Sequence, residues 1–202
     1  MMSVRQQNFL LRKEKILNMA ENLLLENNQD ITLSELAKEL DIAKGTIYKH
    51  FKSKNQLYLE LIIQNEKRLL DITIKYKNNI KTYVTQYMLY NMLNSNRTIL
   101  LHFIEERLTN NERKLKDLFE ELYSIREERI IQIKDSTDEH LKSVKSKMSI
   151  RDYLSYVWTV TYGASLLLNS THYQKAIGSR ERLIKLYVNQ ALMTPDTLSE
   201  DD

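Results

Sequence analysis

Three glycines and one proline in 202 residues constrain this chain more than any other feature. Glycine supplies the positive-φ positions of tight hairpins and proline punctuates loops and edge strands, so a chain this poor in both has little means of building a sheet. Apolar residues recur three and four apart almost throughout, which is the spacing of one helical face. The expectation is an all-α protein.

Ile16, Leu17, Ala20, Leu23 and Leu24 share a face of a first helix that ends near the polar run ENNQD. In TLSELAKEL, Thr32 and Glu35 have the spacing of a capping box, and Leu33, Leu36, Ala37 and Leu40 form the buried stripe of a short second helix. A turn at DIA leads to a third helix predicted over Lys44–His50, which FKSK interrupts before Ser53 and Gln56 open a long fourth helix through Leu57, Leu61, Ile62, Leu69 and Ile72. Beyond Tyr76, helices are predicted at about 80–93, 96–108, 112–135, 149–169 and 180–193. Thr109 with Glu112 and Ser149 with Asp152 repeat the capping spacing, Gly178 marks a stop before Ser179, and DSTDEHLKSVKSK is expected as a polar connector, loop or frayed helix.

The formal charge of +3 is slight, so only local clustering carries information about partners. The absence of cysteine rules out disulfides, thiolate zinc sites and a cysteine nucleophile, in keeping with a reducing compartment. No apolar run approaches the roughly 20 residues of a membrane helix and the opening residues lack a signal-peptide core, so a cytoplasmic protein with no membrane partner is expected.

Positive charge clusters in DIAKGTIYKHFKSK, Asp41 to Lys54, where four lysines and a histidine surround Ile42, Ile47 and Phe51 with no acid after Asp41. Two short helices joined by a tight turn, with Leu36, Ala37, Leu40, Ile42, Ile47 and Phe51 facing inward, make a helix-turn-helix whose second helix enters a DNA major groove. Burial of Ile47 turns Lys44, Thr46, Tyr48, Lys49 and His50 outward, toward phosphates and base edges. Gly45 weakens a helix by about 0.5–1 kcal/mol relative to alanine but lets backbone approach DNA. The bland reading of KHFKSK is a solvated basic face, and the coincidence of turn, glycine, capping boxes and buried stripe argues against it. Arg12 and Lys13, upstream, have phosphate contact or ordinary surface as their alternatives, with surface preferred.

The segment LSELAKELDIAKGTIYKHFKSKNQL resembles the DNA-binding signature of the tetracycline-repressor (TetR/AcrR) family of bacterial regulators, through Leu36 and Ala37, the run Gly45 to Phe51, and Ser53, Lys54 and Leu57. The resemblance implies DNA contacts from Thr32, Lys44, Gly45, Thr46, Tyr48, Lys49, His50 and Lys54, with Lys44, Thr46 and Lys49 favoured for bases. Asp41 departs from the family's small turn residue and Ala43 from its usual serine. Residues 1–54 are expected to form the DNA-binding domain, 55–75 a connecting helix and 76–194 a helical regulatory and dimerisation domain, while 195–202, too poor in apolar residues to fold, are expected as an acidic disordered tail.

A helix-turn-helix protein normally reads two half-sites as a two-fold dimer. The resemblance implies that the last two helices make the homodimer seam, with Leu154, Trp158, Ser165, Leu168, Leu183, Tyr187 and Ala191 as candidates and Gly163, Ala164 and Ser165 permitting close approach. It also implies a small-molecule effector that tilts the fourth helix and releases operator DNA. Tyr87, His102, Phe103, Trp158 and Tyr162 are the ligand candidates, although aromatics equally suit a helical core.

Enzyme readings lack their residues. None of the four histidines follows a glutamate by three, as a di-iron bundle needs, and neither a nucleophile elbow nor a phosphate-binding glycine loop is present. No metal or cofactor is implied. The expectation is a transcriptional repressor on a palindromic double-stranded operator. An activator or nucleoid-associated DNA binder without an inducer, and an all-α protein-interaction module, are the alternatives.

Overall fold

The computed structural model describes residues 2–27, 30–109, 113–176 and 179–193, and the described residues form helices and no strand. The elements are α1 (Val4–Asn27), α2 (Leu33–Glu39), α3 (Lys44–Tyr48), α4 (Lys54–Tyr76), α5 (Ile80–Leu93), α6 (Ser95–Thr109), a single 3-10 turn (Arg113–Leu115), α7 (Lys116–Ser143), α8 (Ile150–Asn169), α9 (Thr171–Ala176) and α10 (Arg180–Leu192). The Thr109–Glu112 cap, the Gly178 stop and the tail from 195 lie outside the described residues. No described helix is long and apolar enough to cross a membrane.

The chain divides into two compact units, Met1–Asn65 with Leu100–Leu122, and Glu66–Ile99 with Tyr123–Asp202. This differs from the division expected from sequence, because 100–122 groups with the first unit and the boundary in α4 falls after Asn65.

In the first unit, α2 packs on α1 and on α3. Ile16, Ala20, Leu24, Ile31, Leu36, Ile47, Phe51 and Leu57 are essentially inaccessible to water. Each of these side chains larger than Ala20 contributes about 1.5–3 kcal/mol by leaving solvent. Leu40 and Ile42 flank this core half-buried.

The turn between α2 and α3 is a Schellman motif, with Ile42 N–H donating to the Ala37 carbonyl at 3.0 Å and Asp41 N–H donating to the Lys38 carbonyl at 3.1 Å. The motif needs a left-handed residue, and Asp41 occupies it at φ 51°. The end of α7 repeats the device, with Lys145 at φ 54°, Ser146 N–H donating to Leu141 and Lys145 N–H to Lys142. A sequence short of glycine thus places other residues where glycine usually sits.

In the second unit, α5, α8 and α10 pack on one another around Val84, Met88, Met92, Tyr153, Val157, Leu168 and Ala191. The connector expected at 135–147 is largely helix, since α7 continues to Ser143. Its polar letters hide a face, Ile133, Thr137, His140 and Leu141, that is buried, and the Thr137 hydroxyl donates to the Ile133 carbonyl at 2.7 Å. Glu66, nearly inaccessible, accepts from both Arg126 and Arg129, and the Arg129 guanidinium lies 5.3 Å from the Tyr87 ring centre.

Two stability measurements check this account. Replacing Asp41 by glycine removes left-handed strain and is expected to leave stability equal or higher by up to about 1 kcal/mol, whereas Asp41→Val lowers it by more than that, as read from urea midpoints. Glu66→Leu removes the carboxylate that pairs with the buried Arg129 guanidinium and is expected to destabilise by about 3 kcal/mol, with partial recovery in Glu66→Leu/Arg129→Met.

Candidate nucleic-acid interface

Local chemistry fixes both short helices. The Thr32 hydroxyl accepts from Glu35 N–H at 3.1 Å while Glu35 Oε2 accepts from Thr32 N–H at 2.7 Å, closing the capping box at the start of α2. The bond from Thr32 N–H, and after it a contact from the Thr32 hydroxyl to the carboxylate, hold the Glu35 carboxyl below the ordinary range. At α3 the N-cap is Ala43, which makes no side-chain cap. Ser53 accepts from Gln56 N–H at 3.1 Å at the start of α4, and the Gln56 side chain reaches back to Lys52 N–H rather than to Ser53.

α3 is one turn and a half long, ending at Tyr48 rather than His50. Ile47 is its buried anchor, at 0% exposure. Around it Lys44, Gly45, Tyr48 and Lys49 are exposed and Thr46 and His50 half-buried. A Cβ added to Gly45 would meet nothing within 4 Å, so the protein's own packing does not require glycine there. The outward residues therefore form one surface of lysines, a phenol and bare backbone.

His50 turns partly inward. Its ring lies 4.1 Å from that of Phe9, and Nδ1 is buried without a hydrogen-bond partner among the described residues. Burial, with the nearby charges of Arg12 and Lys13, lowers its pKa below the usual histidine value.

Lys54 is engaged before any ligand arrives. Its ammonium sits 2.6 Å from Asp30 Oδ2, while the Tyr58 hydroxyl donates to Asp30 Oδ1 at 2.6 Å and accepts from Ile31 N–H at 3.2 Å. Arg107 of α6 adds a longer ion pair to Asp30 at 3.6 Å. Partial burial works to raise the Asp30 pKa, but the hydrogen bonds from Lys54 and Tyr58 and the charges of Lys54 and Arg107 outweigh it and leave the carboxyl below its ordinary value. Burial and the Asp30 contact push the Tyr58 hydroxyl well above the usual phenol range. Sequence inspection missed Asp30 and Tyr58, because the carboxylate lies in a polar run without periodicity and its hydroxyl donor is 28 residues away.

The other candidates are less concentrated. Tyr87 is buried beneath Arg129, and burial pushes its hydroxyl up to about 12. Trp158 and Tyr162 stack at 5.5 Å on α8, with Trp158 51% exposed. Those three belong to the second unit, whereas His102 and Phe103, the latter 59% exposed, belong to the first, so the five ligand candidates do not share a unit. A polar groove of about 470 Å³ in the second unit, lined by Lys77, Gln132, Asp135 and Glu139 among others, includes none of them.

The seven seam candidates differ in exposure within the single chain. Ser165, Leu168, Leu183 and Ala191 are buried within the second unit. Leu154 and Tyr187 are half-buried, and Trp158 alone of the seven is exposed. The apolar side chains that α8 and α10 do expose are Trp158, Leu166 and Leu186. Helical periodicity marks which residues share a face but not which of two apolar faces is turned inward.

Residues 16–61 match the family model described as bacterial regulatory proteins, tetR family. The chain is 34% identical over 82 residues to the HTH-type transcriptional regulator QacR of Staphylococcus aureus, covering 40% of this chain and 44% of that one. To the HTH-type transcriptional regulator AcrR of Shigella flexneri it is 28% identical over 104 residues, covering 51% and 45%. It therefore spans less than half the length of these relatives. The crystal structure of the transcriptional regulator FadR from Bacillus subtilis, in complex with stearoyl-CoA, shares the fold at a TM-score of 0.60 and 16% identity, over 90% of this chain and 98% of that one. At residues 16–61, therefore, this chain carries a helix-turn-helix segment similar to that of the bacterial regulatory proteins of the tetR family.

Proposed function

We propose that this protein is a cytoplasmic transcriptional repressor that binds a palindromic operator as a homodimer and releases it when a small molecule binds the second unit. The observation that carries the reading is α3, where Lys44, Gly45, Tyr48 and Lys49 are exposed around a fully buried Ile47. A helix held by one apolar anchor and bare on its other side is built to be covered, and its lysines suit a polyanion. Lys44, Thr46 and Lys49 are assigned to base edges. Thr32, Tyr48, His50 and Lys54 take phosphates, and Gly45 allows the backbone close to the duplex.

Lys54 must exchange its Asp30 partner for a phosphate, or share it, when DNA binds. The α2–α3 geometry needs no such exchange. Dimerisation is assigned to the outward faces of α8 and α10, where Trp158, Leu166 and Leu186 would lose water on association. Gly163 on the same helix is open as well, since a Cβ there would meet nothing within 4 Å. An effector acts by binding the released conformation more tightly than the DNA-bound one, and DNA weakens effector binding by the same factor.

The test is a salt titration of operator binding, using duplex recovered by selection from a random pool. Lys49→Ala and Tyr48→Ala are each expected to weaken binding by about 1–3 kcal/mol with the dimer intact, Lys49→Ala also relaxing sequence preference. Unchanged affinity in both removes α3 from the interface. Sedimentation checks the seam: Trp158→Ser with Leu186→Ser is expected to shift the protein toward monomer with little loss of stability, whereas an unaltered dimer places the seam elsewhere.

A further inference from the structure

Residues 2–12 are all exposed, and the first buried side chain of α1 is Ile16. Tertiary packing supplies most helical stability in proteins, so this segment contributes little to the fold that carries it. Its charge is one-sided: Arg5, Arg12 and Lys13 precede the first acid, Glu14. Arg5 and Arg12 are seven residues apart, two helical turns and about 10 Å, and so lie on one face with Asn8 and Phe9 between them.

That face borders the end of the recognition helix. Arg5, Gln6, Asn8, Phe9, Arg12 and His50 line a groove of about 800 Å³, and the Phe9 ring rests 4.1 Å from the His50 ring. Lys13 is already committed, paired with Glu60 and 5.5 Å from the Phe51 ring centre. Arg5 and Arg12 have no ion-pair partner among the described residues.

We infer that this stripe is a second DNA-contacting element, in which Arg5 and Arg12, with Asn8 between them, hold the phosphate backbone that flanks the groove entered by α3. The inference rests on the DNA-binding reading proposed above and extends its footprint to a segment outside the matched domain. Three features commit it to a nucleic-acid backbone. The face carries cations and amides without an acid, alongside the apolar Met2, Val4, Phe9 and Leu10, it meets His50 just beyond the end of α3, and arginine is suited to bidentate phosphate contact. Leu10 and Leu11, exposed on the same helix, make an anionic lipid surface the competing occupant, and the experiment separates the two.

The experiment compares the full chain with Arg5→Ala/Arg12→Ala and with Arg5→Lys/Arg12→Lys, by fluorescence anisotropy on the selected duplex and on random duplex across a salt series. Circular dichroism checks that each variant keeps its helix content. The alanine pair is expected to reduce the slope of log K against log salt by about 2 per bound subunit, weakening both duplexes alike, while the lysine pair keeps the slope. An alanine pair with the wild-type slope on the selected duplex overturns the inference and leaves the regulator reading standing. A wild-type chain that binds neither duplex overturns both. Binding to phosphatidylserine vesicles that the alanine pair abolishes, with duplex binding unchanged, assigns the stripe to lipid instead and also overturns it.

Discussion

The exclusion of water from Ile47 and Phe51 is the interaction on which the rest depends. A helix of five residues is far too short to persist alone, because nucleation fixes several dihedrals before any propagation repays them. Tertiary burial of one isoleucine, extended by Phe51 in the next turn, supplies what the helix lacks. That same burial decides which side chains point away, so the exposure of Lys44, Tyr48 and Lys49 is a geometric consequence of where Ile47 goes. Core and charged surface are therefore two faces of one choice.

The surrounding chemistry holds that choice in register. The capping box at Thr32 fixes the start of α2, and the Schellman turn at Asp41 fixes its end and launches α3. On the other side, Asp30 gathers Lys54 and Arg107 and accepts from Tyr58, so the loop before α2, the start of α4 and the end of α6 share one carboxylate. Because Asp30 sits below its ordinary pKa of 3.8, its contribution to stability is present above that value and is lost as pH falls through its lowered pKa. The cluster also sets a local competition, since a phosphate approaching Lys54 meets a lysine already partnered by an acid.

Much of the helix-turn-helix was legible in the residues. Thr32 with Glu35, the apolar spacing of Leu33, Leu36 and Ala37, and the isolated Ile47 are local signals, and local signals survive into the fold. Asp41 was readable as a turn residue because aspartate tolerates positive φ. The tertiary arrangement was less legible. Asp30 and Tyr58 meet across 28 residues with nothing in the intervening sequence to announce it. The polar run from Ser136 to Ser143 conceals a buried helical face, because threonine can be buried once hydrogen-bonded, as Thr137 is to Ile133, and histidine once packed against another ring, as His140 is against Tyr153. On α8 and α10, apolar residues occupy both the inward and outward faces, and only packing distinguishes Leu168 from Leu166.

The central claim is that α3 meets DNA with its exposed side while Ile47 stays inside. The most direct measurement is a titration of isotopically labelled protein with the selected duplex, followed by amide and methyl resonances. The account predicts large shifts at Lys44 to Lys49 and Thr32, with the Ile47 methyl groups remaining protected from solvent in both states. Shifts confined to other helices, or an Ile47 methyl that becomes solvent-accessible when the duplex binds, would contradict it.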